Sequence, residues 1–521
     1  MDLTKKFLYK YYFSVLEIQI RKNHYCKIYL FYCSYLYDTE QMERFQEIPF
    51  PLNFTIRFFN ISNTEEVLAG GVPDLVEVGP YIYKSYQSRE VESKEDDTIS
   101  YRYMERLEFD AESSYPYTED DVVTIVNPPY HVRHTLSFLI ILSVQKLNTL
   151  YPFKEIPGSD QVEIKHIKSR EVVDKVIFNR KYKQKLYKPC NPIADVKVRD
   201  LLLDGIRFCE NPGLIASIVC SQIRTIGATS NNLVVQEDGS IIFRIQPSSV
   251  YKVHRGINNP EDLGRIISLN ETSRFYYWVD EEEGKPSVCN MINGTDSSIY
   301  NPFVDITKSL FAINTDICRS VELRYQYDID YEGIPGYRFS ANEWFLDNDD
   351  GCFCLNLTSG ITREDGCLLR GAAELYSCVG GPMVLSYPHF LYADPIYAKG
   401  VKGMNPSVED HRILLDIEPN TGTVLRGAKR AQFNIFLRPI ISITATENFN
   451  STLTPIVWVL GRPGFNIKIY TFIHLTVSCL NYVYRSTLTA ILLQIFRRNI
   501  NIKKSIVRQF LNLNNIVELA I

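Results

Sequence analysis

The stretch Cys289-Asn290-Met291-Ile292-Asn293-Gly294-Thr295-Asp296 opens a loop-rich part of the chain in which half of the 12 cysteines are concentrated. These six are Cys289, Cys318, Cys352, Cys354, Cys367 and Cys378. An even number of clustered cysteines predicts three disulfides formed in an oxidising compartment. A zinc site that includes His389 is the alternative. Structural zinc sites favour cysteine pairs with two to four residues between them, whereas one residue separates Cys352 from Cys354, so the spacing favours disulfides.

The opening stretch also contains a glycosylation acceptor, Asn293, in the pattern Asn-x-Ser/Thr. A single pattern of this kind carries little information, because a chain of 521 residues contains a few by chance. Here the pattern recurs on both sides of the cysteine cluster, at Asn53, Asn60, Asn270, Asn293, Asn356 and Asn450. Together with the cysteines, these acceptors predict that the central part of the chain is lumenal or extracellular.

The composition of the whole chain is that of a folded protein with a large core: 45% hydrophobic, 22% charged and 12% aromatic residues. These values exclude intrinsic disorder and collagen-like repeats. The length of 521 residues exceeds that of one ordinary domain, which is about 100–200 residues. The formal net charge of −5 provides no general attraction to nucleic acid, so no nucleic-acid partner is expected.

Apolar residues that alternate along the chain predict strands on both sides of the cysteine cluster. The alternation is clear at 101–109, with apolar residues at 101, 103, 107 and 109, and again at 433–437. The aromatic run Phe275-Tyr276-Tyr277-Trp278 is interpreted as a short buried strand. Residues 134–149 instead show the period of an amphipathic helix, and a second helix is predicted near Val198 to Leu203.

The two ends of the chain contain the segments that are candidates for crossing a membrane. Residues 7–37 are aromatic and apolar, but charged residues divide them. A spanning helix requires an unbroken run of about 18–20 apolar residues, which this segment lacks. Residues 467–496 contain two apolar pieces split by Arg485 and followed by basic residues, as on the cytoplasmic side of a membrane. The sequence therefore predicts one marginal C-terminal span and leaves an N-terminal span open.

A basic stretch between Glu163 and Lys188 interrupts the predicted helices and has two interpretations. Its nine cations are Lys165, Lys168, Arg170, Lys175, Arg180, Lys181, Lys183, Lys185 and Lys188. A solvated helix face or an exposed insertion would account for them. Alternatively, they form a docking surface for an anionic particle or a lipid head group, because clustered cations attract such partners over some distance.

No motif in the chain predicts enzymatic chemistry or a cofactor. The nucleophile elbow, the zinc-binding helix, the phosphate loop and the dinucleotide fingerprint are all missing from the sequence. The stretch from Asp347 to Gly351 resembles part of a calcium-binding loop but lacks the ligand spacing of an EF-hand. We therefore interpret it as a turn. His389 and His411 are interpreted as structural histidines, because no activated serine or free thiol accompanies them. The protein is therefore not expected to be an enzyme.

Several long blocks of the chain resemble the class B scavenger receptor family, whose members include the fatty acid translocase, the high-density-lipoprotein receptor, the lysosomal integral membrane protein type 2 and the insect sensory neuron membrane proteins. The resemblance extends over about 47–459, and the insect branch is the most similar. The blocks are 58–63, 66–70, Glu77-Val78-Gly79-Pro80-Tyr81-Ile82-Tyr83, Cys289 to Asp296, Asp316 to Ser320, Gly333-Ile334-Pro335-Gly336-Tyr337-Arg338-Phe339, Cys352-Phe353-Cys354, Pro388-His389-Phe390-Leu391-Tyr392-Ala393-Asp394 and 411–422.

The resemblance implies an α+β fold: a large distorted antiparallel β-barrel ectodomain with a helical-bundle cap and an internal hydrophobic tunnel, flanked by membrane-associated termini. Residues 47–459 would form the ectodomain, with cap helices at about 130–220 and an insertion at about 150–197. Residues 1–46 and 460–521 would be the divergent membrane segments. The family's disulfides, carried over, pair Cys289 with Cys352, Cys318 with Cys378 and Cys354 with Cys367, whereas Cys190, Cys209 and Cys220 match no family pair.

The resemblance also implies function. The chain would be a plasma-membrane glycoprotein with both termini in the cytoplasm, and it would bind fatty acids, sterols, other lipids or lipoprotein particles. It would mediate lipid uptake or transfer through the internal tunnel, without a cofactor. The alternative is a lysosomal or endosomal sorting receptor that binds a protein partner through its helical cap. Association into a homo-oligomer is left open.

Overall fold

The computed structural model describes residues 40–48, 50–128, 130–131, 191–208, 221, 233–236, 241–243, 249–278, 288–348, 351–355, 360–379, 381–440 and 444–462. Apart from the hairpin tip at 330–334, these residues belong to one unit of the structure. Several predicted features lie outside the described residues: the two candidate membrane segments, the helix at 134–149, the basic stretch at 165–188, Asn356, Cys190, Cys209 and Cys220.

Strands make up most of the described secondary structure. In chain order they are β1 (Leu52–Ile61), β2 (Leu75–Lys94), β3 (Thr98–Phe109), β4 (Val122–Val126), β5 (Ile193–Lys197), β6 (Ile206–Phe208), β7 (Leu233–Val235), β8 (Ile241–Phe243), β9 (Val250–His254), β10 (Ile266–Leu269), β11 (Leu310–Asn314), β12 (Arg319–Tyr331), β13 (Ile334–Ala341), β14 (Ala372–Glu374), β15 (Met383–Ser386), β16 (Ile413–Ile417), β17 (Val424–Leu437) and β18 (Thr452–Arg462).

The described helices are short. They are α1 (Glu40–Gln46), α2 (Thr64–Leu68), α3 (Ala111–Ser114), α4 (Tyr376–Val379), α5 (Pro395–Lys399) and α6 (Val408–His411), with a π-helical turn at Asp200–Asp204 and 3₁₀ turns at Pro260–Asp262, Val288–Asn290, Glu343–Leu346, Pro388–Phe390 and Thr444–Thr446. Side-chain caps begin three of the helices, because Asp110, Asp394 and Ser407 accept hydrogen bonds from backbone N–H groups of the first turn.

Thirteen strands of the described chain form one sheet, in the order β10-β9-β3-β2-β1-β18-β17-β16-β13-β12-β11, with β15 also paired to β17 and β14 to β15. The long central strands β1, β2, β17 and β18 pair in antiparallel register. Smaller sheets contain β4 with β5 and β6 with β7 and β8. The predicted β-rich character is therefore confirmed, and the strands themselves follow an open path from β10 to β11.

One short segment connects the two ends of this path. Gly294 accepts a backbone hydrogen bond from Ile266 of β10 at 2.9 Å. The next residue, Thr295, donates to Phe311 of β11 at 3.2 Å and accepts from Ile313 at 2.8 Å. Gly294 has φ +93°, and a Cβ atom there would lie 2.0 Å from the carbonyl oxygen of Phe311, so only glycine fits this approach.

The structure confirms two of the predicted strands and contradicts a third. The alternating residues at 101–109 lie in β3, and those at 433–437 lie in β17. The run Phe275 to Trp278 was wrongly interpreted as a strand, because it is irregular. The hydrogen bonds of Trp278 are not part of a strand pairing. Its backbone N–H donates to the Asn290 side chain at 3.1 Å, and its indole N–H donates to the Cys318 carbonyl at 2.7 Å.

Two described segments lie inside the range predicted for the helical cap and its insertion. The helix predicted near Val198 corresponds to the helical turn that includes Asp200–Asp204. β5 falls within the predicted insertion, yet it pairs along its whole length with β4, and β6 follows as a second strand. The described part of this range therefore contains strands as well as helical turns.

The six clustered cysteines form three disulfides in the structure, in the pairs that the family resemblance implied. The Cα–Cα separations are 5.2 Å for Cys289–Cys352, 5.8 Å for Cys318–Cys378 and 5.1 Å for Cys354–Cys367. Cys289, Cys318 and Cys352 are buried in one apolar cluster together with aromatic residues such as Trp278 and Phe353. The cross-links thus hold this segment, which contains few strands, against the sheet. They stabilise the fold by restricting the conformations of the unfolded chain.

A buried ion pair joins neighbouring strands of the sheet. The guanidinium of Arg338 on β13 contacts both carboxylate oxygens of Asp416 on β16 at 2.7 Å. Arg426 on β17 adds a third contact at 2.9 Å, and the Asp416 side chain is 0% exposed. A carboxylate buried this completely requires its cationic partners, because an unpaired buried charge is strongly unfavourable.

We expect Asp416→Asn to lower the free energy of unfolding by about 3–5 kcal/mol, because it leaves the buried Arg338 without its counter-charge. Asp120→Asn is the matched control. Asp120 pairs with Lys197 at 3.0 Å, but the two side chains are 83% and 53% exposed, and such surface pairs contribute only about 0–1 kcal/mol. Denaturant unfolding of both variants measures the difference, and equal effects would contradict the assignment of Asp416 as a structural centre.

Candidate functional site

A polar cavity of about 450 Å³ lies where β1, β2 and β18 run side by side, beneath the segment that runs from Pro388 to His411. We call it the histidine pocket. It is lined by Arg57, Glu77, His389, Asn405, Ser407, Asp410, His411, Trp458 and Leu460. The sheet supplies one wall through Arg57, Glu77, Trp458 and Leu460, and the covering segment supplies the rest.

Strand register brings the charged and aromatic residues of the sheet wall together. Arg57 lies directly opposite Trp458 across the β1–β18 ladder, and Glu77 pairs with Phe59 across β1–β2. The Arg57 Nε atom is 3.1 Å from a Glu77 oxygen, and its guanidinium carbon is 5.0 Å from the centre of the Trp458 ring. The Trp458 indole N–H donates to the other Glu77 oxygen at 3.3 Å.

His389 is held in one orientation by three hydrogen bonds. Its backbone N–H donates to Gln432 at 2.7 Å, and φ is +54°, a left-handed conformation that is uncommon for a residue with a side chain. Its ring Nδ1 accepts from the backbone N–H of Asn405 at 3.1 Å. Nε2 therefore carries the proton of the neutral ring and donates to Glu77 at 2.7 Å.

His411 stacks on His389, with ring centroids 4.5 Å apart and an interplanar angle of 17°. Its Nδ1 accepts from the backbone N–H of Ser407 at 3.0 Å, so the proton of its neutral ring is on Nε2. The same Ser407 caps α6, since its hydroxyl accepts from the backbone of Asp410 at 3.3 Å. Each imidazole thus anchors one backbone amide of the covering segment.

The electrostatics of the pocket follow from this burial and pairing. Burial, and then the neighbouring ring of His389, lower the pKa of His411 to about 4, so this ring is neutral at pH 7. Burial alone would raise the pKa of Glu77. Hydrogen bonds from His389 and Trp458 and the charge of Arg57 outweigh that effect and lower the pKa, so the carboxylate is ionised.

The arrangement is suited to binding and provides no nucleophile. The Ser407 hydroxyl donates to Asp410 at 2.7 Å, and both histidine Nδ1 atoms already accept backbone hydrogen bonds, so neither ring is arranged to activate that serine through Nδ1. In the part of the chain that the structure describes, no group of three His, Cys, Asp or Glu residues is placed to hold a metal ion.

The site was not predicted as a unit. His389 and His411 were considered separately as structural histidines, and the structure places both in one pocket with Glu77, Arg57 and Trp458. The available signal was that Glu77, His389 and His411 each lie in a block shared with the scavenger receptors. The nine cations of the predicted docking surface lie outside the described residues.

The structure places five of the six glycosylation acceptors. Asn53, Asn270 and Asn450 are exposed, and Asn60 and Asn293 are partly exposed. Two of them also make hydrogen bonds to residues distant in sequence: Asn60 accepts from the Thr124 backbone at 2.8 Å, and Asn450 donates to the Gly70 carbonyl at 2.8 Å. Glycosylation at these positions remains a prediction.

Comparison with known proteins identifies the family. The family model described as the CD36 family matches residues 34–496. The chain belongs to the CD36 family. It is similar to sensory neuron membrane protein 2 of Drosophila melanogaster, with 34% identity over 492 residues that cover 86% of this chain and 87% of the relative. Similar matches are sensory neuron membrane protein 2 of Aedes aegypti (32% identity, covering 81% and 83%) and sensory neuron membrane protein 1 of Pediculus humanus subsp. corporis (31%, covering 81% and 75%).

Membership confirms the resemblance to the class B scavenger receptors and supports a scavenger-type membrane receptor. The disulfide framework agrees with this assignment, since all three cross-links are formed within the matched range. None of the helices that the structure describes has the length and apolar character needed to cross a bilayer.

The stability of this CD36-family chain should fall in acid partly because of His411. The unfolded ring binds a proton near pH 6.5, whereas the folded ring does so only near pH 4. Above pH 6.5 this group therefore leaves the free energy of unfolding independent of pH. As the pH falls from 6 to 4.5, it lowers the free energy of unfolding by about 1.4 kcal/mol per pH unit. His411→Asn retains an acceptor for Ser407 but cannot titrate.

Unfolding of the wild type and His411→Asn should be followed at pH 7.5, 6.5, 5.5 and 4.5. The variant should show a shallower loss of stability below pH 6.5, and the gap between the two curves should close towards pH 4.5. Parallel curves over this range would show that His411 is not held neutral by the fold.

Proposed function

We propose that this chain is a plasma-membrane glycoprotein receptor that binds lipidic ligands, such as fatty acids, sterols or lipoprotein particles, and passes lipid along an internal apolar passage. Both termini would lie in the cytoplasm, and residues 47–459 would form the glycosylated ectodomain. The proposal extends the family assignment, which supports a scavenger-type membrane receptor, to a class of ligand and a route.

The observation that carries the proposal is the connection of the two sheet ends through Gly294 and Thr295. With β10 and β11 joined in this way, the sheet can return on itself and surround an interior, as the barrel implied by the resemblance does. A protein conduit would favour transfer because each methylene of a lipid chain kept out of water is worth about 0.8 kcal/mol. No covalent chemistry is needed for this function.

Lipid retention should depend on that connection. Gly294→Ala would place a Cβ atom 2.0 Å from the Phe311 carbonyl and push β11 away. Gly333→Ala is the matched control, because Gly333 also has positive φ (+85°) but nothing lies within 4 Å of its Cβ position. Full-length proteins from insect cells should be extracted and their co-purifying lipids quantified by mass spectrometry.

We expect lipid in the wild type and in Gly333→Ala, and several-fold less in Gly294→Ala. Non-reducing peptide mapping of the three disulfides establishes that each variant has folded. A wild type that carries no lipid, or equal lipid in two correctly cross-linked variants, would contradict the proposed passage.

The basic stretch provides the proposed docking surface for anionic ligands. Replacing Lys181, Lys183 and Lys185 with Glu should slow association with anionic vesicles, most strongly at low ionic strength, because salt screens attraction between exposed charges. The control replaces Lys308, Lys399 and Lys402, which are exposed elsewhere, and makes the same change in net charge. Surface plasmon resonance at several salt concentrations measures the rate. Equal rates for the two triple variants would show that the stretch is only a solvated insertion.

A further inference from the structure

The histidine pocket contains hydrogen-bond donors that its own carboxylate does not use. Glu77 already accepts from His389 and Trp458 and is paired with the Arg57 Nε atom. Within the described residues, the Nε2–H of His411 and the two terminal nitrogens of Arg57 have no hydrogen-bond partner. His411 as a residue is only 6% exposed, and it lines the cavity.

The charges that face His411 sum to zero at neutral pH. Arg57 from β1 and Arg430 from β17 are cationic, and Glu77 from β2 and Asp410 from α6 are anionic. β18 contributes Trp458, which is uncharged, and the Nδ1 atom of His389 accepts a backbone hydrogen bond and so carries no proton. A proton on His411 would give the pocket one net positive charge, which the protein by itself does not balance.

We propose that the histidine pocket binds a small oxyanion, a carboxylate or phosphate group, and that His411 takes up one proton as the anion binds. The anion would accept from the terminal nitrogens of Arg57 and from His411 Nε2. The proton and the anion enter together, so the net charge of the site returns to zero. This site is separate from the proposed lipid passage.

The chemistry of the lining selects this class of ligand. The planar fork of an arginine matches the two oxygens of a carboxylate or the oxygens of a phosphate. The volume of about 450 Å³ lies within the usual range of small-molecule pockets, which is about 300–1,000 Å³. Seven of the nine lining residues that the structure describes carry polar or charged groups, so the pocket suits a polar head group or a small water-soluble acid.

The proposal makes binding dependent on pH. An anion next to His411 raises the pKa of the ring above its unliganded value of about 4. By linkage, affinity then rises as the pH falls, by up to about tenfold for each pH unit between the liganded and unliganded pKa values. Both histidines can keep their Nδ1 hydrogen bonds until the ligand arrives.

Isothermal titration calorimetry on the glycosylated full chain tests the proposal, with inorganic phosphate and butyrate as separate probes at pH 7.5 and 5.5. We expect at least one probe to bind about tenfold more tightly at pH 5.5. Titrations in two buffers of different ionisation enthalpy should show uptake of close to one proton. Preference for phosphate would indicate a lipid or sugar phosphate as the source of the anion, and preference for butyrate would indicate a small carboxylic acid.

Three variants locate the effect. His411→Asn should abolish proton uptake and flatten the pH dependence, and Arg57→Gln should weaken binding at both pH values. Arg324→Gln is the control, because Arg324 pairs with Glu322 at 2.9 Å away from the pocket, and it should bind as the wild type does. No binding of either probe to the wild type at pH 5.5, or unchanged proton uptake in His411→Asn, would overturn the proposal. A wild type that carries lipid but fails this test would leave the proposed lipid passage intact.

Discussion

The backbone hydrogen bonds of Gly294 and Thr295 are the constraint on which the large sheet depends. They connect the strands at its two ends, β10 and β11, which are otherwise separated by the whole series of paired strands. The disulfide Cys289–Cys352 begins only five residues before Gly294, so a covalent anchor lies beside this junction. Backbone pairing and cross-linking therefore act at the same place.

The histidine pocket shows how the same sheet supports a polar site. Arg57 of β1, Glu77 of β2 and Trp458 of β18 lie side by side on the face that the segment 388–411 covers. Within that segment, the Nδ1 atoms of two stacked imidazoles accept hydrogen bonds from the backbone. Neutral histidines are required for both hydrogen bonds, because a protonated ring has no acceptor at Nδ1. The conformation of the segment and the protonation state of the pocket are thus coupled.

Sequence patterns predicted the features that depend on local spacing. The alternating residues of β3 and β17, the oxidised cysteine cluster and the family were all recognisable. The pocket was not, because Glu77 and His389 are 312 residues apart and meet only through strand register and a positive φ at His389. The aromatic run at 275–278 was wrongly predicted to be a strand for a related reason. Its hydrogen bonds are to a side chain and to a carbonyl distant in sequence, and the pattern of residues along the chain does not reveal such bonds.

The order of the disulfides along the chain has a consequence for how the protein matures. Cys289–Cys352 and Cys318–Cys378 interleave, and Cys354–Cys367 lies inside the second loop. Of these six cysteines, Cys289 and Cys318 are synthesised first, yet they are not partners. A bond between these two must be broken by thiol–disulfide exchange before the native set can form. The yield of correctly cross-linked protein should therefore depend on the host's isomerase capacity more than on its oxidising power.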